Sequence, residues 1–476
     1  MADRKKFLQS ACAIALAIAF AGSAVAQDGD VTKKEYDDGG VYEGTFKNGK
    51  QHGTGTYRLP NGYVYEGEWV DGEIRGQGRA EFADGSVYEG EFAAGKPEGQ
   101  GRIVFADGGT YEGTWSEGLI NGQGIAVYKN GVRYEGGFTD GLHDGQGRME
   151  SPNGYVYDGT WAKGIKEGSA RIEFPNGTIY EGDLVRGVRE GSGTLTMPDG
   201  LKYVGEWSVG QMNGTGILTQ ANGDIYEGQF VNGTRAGAGK VTYANGDVYE
   251  GAFQADRRQG EGTFTGADGY VYVGQWTEGR IEGDGQVTYP DGSVYTGTFK
   301  NDVAHGKGMI VYPDGNTYEG EWNEGVIDGV GVATYANGLV YQGEFRDAKM
   351  HGQGKMTFAD GYTYEGQWVG GQREGQGTAI YSNGTVYTGS FVGGQRDGQG
   401  TITIPAAPGE ELGFTYTGEW SDGEIDGMGT ATYDNGDVYE GMFVRGKRQG
   451  EGTIRYASGE EASGTWEDGQ LKGDDG

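Results

Sequence analysis

Four histidines, His52, His143, His305 and His351, are the side chains best suited to proton transfer or metal binding at neutral pH. They are widely separated in the chain, so no Ser-His-Asp triad or metal cluster can be assembled from neighbours. Each falls at position 10 or 11 of a repeat, ahead of the glycine at position 12, and they are expected to be hairpin-turn residues. Gly283-Asp284-Gly285 looks superficially like a nucleotide loop but opens a strand pattern, and Gly237-Ala238-Gly239-Lys240 lacks the upstream glycine and the following Ser/Thr of a P-loop. No cofactor is therefore expected. Carboxylates such as Glu43, Glu66, Glu89 and Asp158 recur at one register. Copies two strand spacings apart are ~10 Å from one another, beyond the ~5 Å of a catalytic carboxylate pair. They read as a solvated acidic ladder, with loose calcium association as the alternative. The sequence calls for no enzyme.

The remaining chemistry is recognition by aromatic rings. Each of the nine tryptophans sits four residues after the start of a 23-residue period, which opens on tyrosine in eight cases, as in Tyr65-Glu66-Gly67-Glu68-Trp69, and on Ala462 before Trp466. Rings at fixed spacing could accept a chain-like ligand: a glycan, a peptide strand or a second copy of the protein. The candidate face is Tyr65, Trp69, Tyr111, Trp115, Tyr318, Trp322, Tyr364 and Trp368, read first of all as core. Arginines at position 10 of the period, among them Arg189, Arg235, Arg258, Arg396 and Arg448, are the second candidate.

The elements that carry these residues follow from the period. Starting tyrosines run from Tyr42 in steps of 23 to Tyr387, then resume at Tyr416 and Tyr439, which makes eighteen repeats. Character alternates along positions 1 to 5 and again along 12 to 18, the two-residue period of half-buried strands. Glycine, β-branched and aromatic residues weigh against helix. Each repeat therefore predicts two strands. When position 5 is Trp, position 16 is often Ala (Ala80, Ala126, Ala333, Ala379, Ala431), which suggests that these two positions pack together on one face. Keeping the next tyrosine on that face requires an odd loop. Pro-Asp/Asn-Gly at positions 19 to 21, as in Pro60-Asn61-Gly62, suits a type I turn closed by a glycine bulge. Glycines at 3, 12 and 14 would leave bare backbone for the rings to cover. Trp and Phe alternate at position 5, so the true unit could be a pair of repeats.

The pattern Tyr-Glu-Gly-x-Trp/Phe-x-x-Gly-x-x-x-Gly-x-Gly, with Asp/Asn-Gly at 20 and 21, resembles the MORN repeat (membrane occupation and recognition nexus) over residues 41–461. The resemblance implies an all-β fold: an elongated single-sheet antiparallel array of β-hairpins, which its length would twist or coil. It also implies protein binding and oligomerisation, and lipid association.

Residues 1–26 read as a signal peptide: Arg4-Lys5-Lys6, an apolar run from Ala11 to Ala21, and Ala24-Val25-Ala26 before cleavage at Ala26–Gln27. Cys12, the single cysteine, lies within it. Residues 27–40 would be a lead-in and half-repeat, 41–461 the array with an insertion near 405–410, and 462–476 a truncated capping repeat. The expected address is a bacterial periplasm or the exterior. Asp3 against Arg4, Lys5 and Lys6 puts the leader at +2, so cleavage takes the net charge from −32 to −34. Such a charge excludes nucleic acid and argues against an anionic membrane. The expectation is an exported, non-enzymatic scaffold for protein–protein interaction or self-association, with an envelope glycan-binding module as the alternative.

Overall fold

The computed structural model describes residues 31–406 and 413–472. Every regular element among them is a β-strand. The leader with its Ala26–Gln27 cleavage point, residues 27–30, most of the insertion and residues 473–476 lie outside the described residues.

The chain divides into two compact units, the first ending at Ala244 and the second beginning at Asn245. The first contains the strands from Thr32–Glu35 to Thr234–Thr242, and the second those from Val248–Gln254 to Gln470–Leu471. Within each unit every strand pairs antiparallel with its neighbours in sequence.

One repeat shows how residue types dictate this order. Strand Val64–Val70 returns as Glu73–Glu81 through Asp71 and Gly72, whose φ values of 52° and 95° define the two-residue turn that matches strand twist. The join between repeats is the expected three-residue loop. Gly62 N–H donates to the Leu59 carbonyl at 3.1 Å, Leu59 N–H donates to Tyr63 at 2.9 Å, and Gly62 takes φ 93°. Asn61 Oδ1 accepts the Tyr63 N–H at 3.0 Å and fixes the turn. The same geometry occupies Asn176 and Asn383, whose side chains accept the N–H of Thr178 and Thr385.

Each hairpin also contains a bulge. Position 3 pairs with 14 (Gly67↔Gly78), but position 5 pairs with 10 (Trp69↔Ile74), so extra residues on the second strand bend it beside position 4. Three expectations change as a result. The histidines, at positions 10 and 11, lie in the second strand, because the turn is confined to positions 7 and 8. Positions 5 and 16 share a face but are not partners within a repeat: 16 pairs with 1 (Tyr65↔Ala80), and the position-5 ring leans back on the preceding repeat, as Trp69 does against Tyr57 at 6.0 Å. Glycine at position 12 serves the bulge rather than a ring, since Gly76 takes φ 94° and a Cβ there would meet the Glu68 side chain.

The core is the face carrying positions 1, 5, 10 and 16, and it is built as a column. A Cβ on Gly78 would lie 2.5 Å from the Tyr65 ring and one on Gly67 2.4 Å from its hydroxyl, so the two glycines make the slot in which that side chain lies. Strand Glu461–Glu467 keeps the column going beyond the last full repeat, with Trp466 buried although Ala462 replaces the tyrosine.

Candidate functional site

The eight aromatic candidates all fall in the column. Tyr65, Tyr111 and Tyr364 have no exposed surface, Trp69, Trp115, Tyr318 and Trp368 almost none, and Trp322 retains 9%. Their polar atoms are committed as well. The bulge frees the position-4 carbonyl, and the tyrosine hydroxyl donates to it: Tyr65 to Glu68 at 2.9 Å, Tyr111 to Thr114 at 3.0 Å, Tyr318 to Glu321 at 3.0 Å and Tyr364 to Gln367 at 3.1 Å. Each indole N–H donates to the position-14 carbonyl of the preceding repeat, at 3.3 Å from Trp69 to Gly55 and 3.0 Å from Trp368 to Gly354. Edge-on contacts join most neighbouring repeats within each unit, such as Tyr88–Trp115 at 5.0 Å and Tyr111–Phe138 at 5.1 Å, with Leu184 interrupting the run of rings. Burial pushes the Tyr111, Tyr318 and Tyr364 phenols up to about 12. Rings held this way act as core, and a glycan could stack on them only if the sheet opened.

The position-10 arginines are internal staples. Arg258 stacks 4.0 Å from the Trp276 ring of the next repeat and donates to the Gly279 carbonyl at 3.0 Å. Arg189 does the same with Trp207 and Gly210, and Arg448 with Trp466 and Gly469. In four repeats with Phe or Leu at position 5, arginine covers the tryptophan of the repeat that follows, whereas Arg373 lies in a tryptophan repeat and covers Phe391. His143 takes the same slot, stacked 3.6 Å from Tyr134 and hydrogen-bonded to the Tyr128 hydroxyl at 2.6 Å.

Position 11 is a functional column that the sequence reading overlooked. Its side chain accepts the N–H of position 7 in the next repeat: Glu98 from Glu117 at 2.8 Å, Glu190 from Val209 at 2.8 Å, Glu374 from Gly393 at 3.0 Å and Asp426 from Arg445 at 3.2 Å. His52 Nδ1 holds Asp71 N–H in the same manner, 3.4 Å away. The signal was available, since acceptor side chains dominate that position. Among the described residues no group of three His, Cys, Asp or Glu could hold a metal ion.

The outward face, positions 2, 4, 13 and 15, is where side chains remain free to meet a partner. The acidic ladder lies there, interleaved with arginines from position 15: Arg79–Glu89 at 3.4 Å, Arg148–Asp158 at 3.6 Å and Arg171–Glu181 at 2.6 Å. These pairs are half exposed, so each contributes at most ~1 kcal/mol. Their main consequence is a ribbed surface of alternating charge.

Comparison with known proteins places this geometry in context. The MORN repeat matches eighteen segments from residues 42–62 to 439–461. No curated protein matches the chain. Among solved structures, the Drosophila melanogaster SAS-4 TCP domain, in complex with a proline-rich motif of Ana2, is 18% identical and covers 44% of this chain and 94% of its own, with TM-score 0.20. The Danio rerio CPAP TCP10 domain, in complex with a STIL peptide, is 15% identical over 56% of this chain and 93% of its own, with TM-score 0.17. A streptogramin B lyase is 11% identical over 66% and 90%, with TM-score 0.11. Scores this low attach no partner or activity to the present chain.

Proposed function

The chain belongs to the MORN repeat family, and from that premise we propose that it is an exported, non-enzymatic scaffold that docks protein partners on its outward face. The observation that carries this reading is the division of labour between faces. The core face spends its rings, hydroxyls, indole N–H groups and arginines on holding repeats together, whereas the outward face presents mostly charged and polar side chains, with apolar ones such as Val204 and Ile217 among them. Export is supported by the Arg4-Lys5-Lys6 and Ala24-Val25-Ala26 pattern, and a chain whose only cysteine lies in that leader suits an oxidising compartment. The charge of −32 favours basic protein surfaces over nucleic acid or anionic lipid.

A photo-cross-linking residue placed at outward Gln146, with the same residue at Gln123 and Gln376, tests the scaffold reading in the native compartment. Saturable adducts of defined mass that unlabelled protein competes away are the expected result. Turnover of a substrate by the purified chain, or no competable adduct from any of the three positions, would overturn it. The glycan-binding alternative predicts saturable binding of purified cell-wall glycan that Trp322→Ala abolishes in a folded protein.

A further inference from the structure

In the first unit four of the eight junctions between position 15 and the next position 2 on the outward row are closed by an arginine–carboxylate pair. Glu89 has Arg79, Glu112 has Arg102, Asp158 has Arg148 and Glu181 has Arg171. Single junctions lack the pair at Thr56–Glu66 and Ile125–Glu135, and beyond Glu181 two successive junctions lack it. Across the next strands the row reads Thr194, Val204, Ile217 and Glu227, each directly opposite the next. Val204 and Ile217 are 41% and 44% exposed although they are β-branched and apolar. They floor a shallow trough of about 810 Å³ edged by Glu206, Thr215 and Glu227. Glu206 takes hydrogen bonds from Thr215 and has no ion pair among the described residues, whereas Glu227 has Lys240 directly opposite it on the next strand, though not within ion-pair distance.

We propose that this trough docks an extended segment of a partner protein that supplies apolar cover for Val204 and Ile217 and a cation for Glu206: alternating apolar residues followed or preceded by Lys or Arg. This rests on the scaffold reading and names the chemistry of one partner contact. The dimensions agree. From Glu227 across Ile217 and Val204 to Thr194 is three strand spacings, ~14 Å, which an extended chain spans in four or five residues at ~3.3 Å each. Residues on one face of such a segment alternate, so two apolar side chains lie over Val204 and Ile217 while a terminal cation reaches Glu206. A long Lys or Arg stem adds apolar contact along the wall.

The probe is a labelled heptapeptide, Lys-Ser-Val-Ser-Val-Ser-Lys, titrated into the full chain at physiological ionic strength, beside a control with serine in place of both valines. The expected result is saturable one-to-one binding at least about tenfold tighter than the control. Ile217→Arg, which restores the pattern of the ladder, should weaken it about tenfold, and Val204→Thr should do likewise without altering charge. Ile125→Arg, at the same register elsewhere in the row, should stay within about twofold. Equal binding of both peptides, equal effects of Ile217→Arg and Ile125→Arg, or no saturable binding would overturn the proposal. Because the cross-linking experiment needs no knowledge of the segment, failure here with competable adducts there removes the trough and leaves the scaffold.

Discussion

Single residues show where the repeat is satisfied and where it is not. Val209 occupies the first turn position at φ 48° and is 80% exposed, a left-handed conformation that a β-branched residue adopts only under strain. Val209→Asn should raise stability by ~1 kcal/mol, read as a shift in urea midpoint with unchanged slope; an unchanged or lower midpoint would contradict this. Position 22 supplies a second contrast. Ser86 Oγ accepts the Ala106 N–H at 3.2 Å, but Ser293 Oγ is buried without that acceptor role, because the corresponding residue of the next repeat is Pro313, which has no N–H. Ser86→Ala should therefore cost ~1 kcal/mol and Ser293→Ala nothing, or stabilise slightly; equal losses in thermal unfolding would refute the account. The tyrosines add a pH effect. Burial raises the folded pKa of Tyr111, Tyr318 and Tyr364 to about 12, above the unfolded value of about 10. Below pH 10 both states keep the proton and stability is full. Above it the unfolded chain ionises first, so stability falls as pH rises toward 12. Tyrosinate absorbance should appear together with loss of circular dichroism, and ionisation in an intact fold would contradict the burial.

At the scale of the strand and hairpin, cohesion comes from contacts between repeats. Arg258 joins the Trp276 ring and the Gly279 carbonyl, so Arg258→Met should cost ~1–2 kcal/mol. Arg258→Lys should recover less than half, because an ammonium cannot both stack and reach the carbonyl; full recovery by lysine would reduce the staple to simple charge. Much of this level was legible from the chain. The 23-residue spacing of Tyr42, Tyr65 and Tyr88 yields the repeat, alternation yields two strands, and parity with Pro60-Asn61-Gly62 yields the three-residue loop. The bulge was not legible, since glycine at position 12 suits both a ring slot and a positive φ. Without the bulge the register beyond position 4 is wrong, so Trp69 is matched to position 16 of its own repeat instead of leaning on Tyr57 of the one before. The candidate aromatic residues lie in the buried column, and the outward break at Val204 and Ile217 shows itself only once positions 2 and 15 are known to be opposite each other.

Over the whole molecule, charge and ring burial set the behaviour. A net −32 repels itself in the compact state, and salt screens that repulsion over ~10 Å at 0.1 M. Thermal stability should accordingly rise between low and moderate ionic strength; a fall would mean that the Arg–Glu ladder outweighs the repulsion. The central claim is that the aromatic columns hold the chain together and the outward face meets partners. Tryptophan fluorescence tests it most directly, because the nine indoles lie in one structural role. The account predicts blue-shifted emission, weak quenching by acrylamide, and no change when purified cell-wall glycan is added. Red-shifted, readily quenched emission, or a saturable change on adding glycan that Trp322→Ala removes without unfolding the chain, would contradict it.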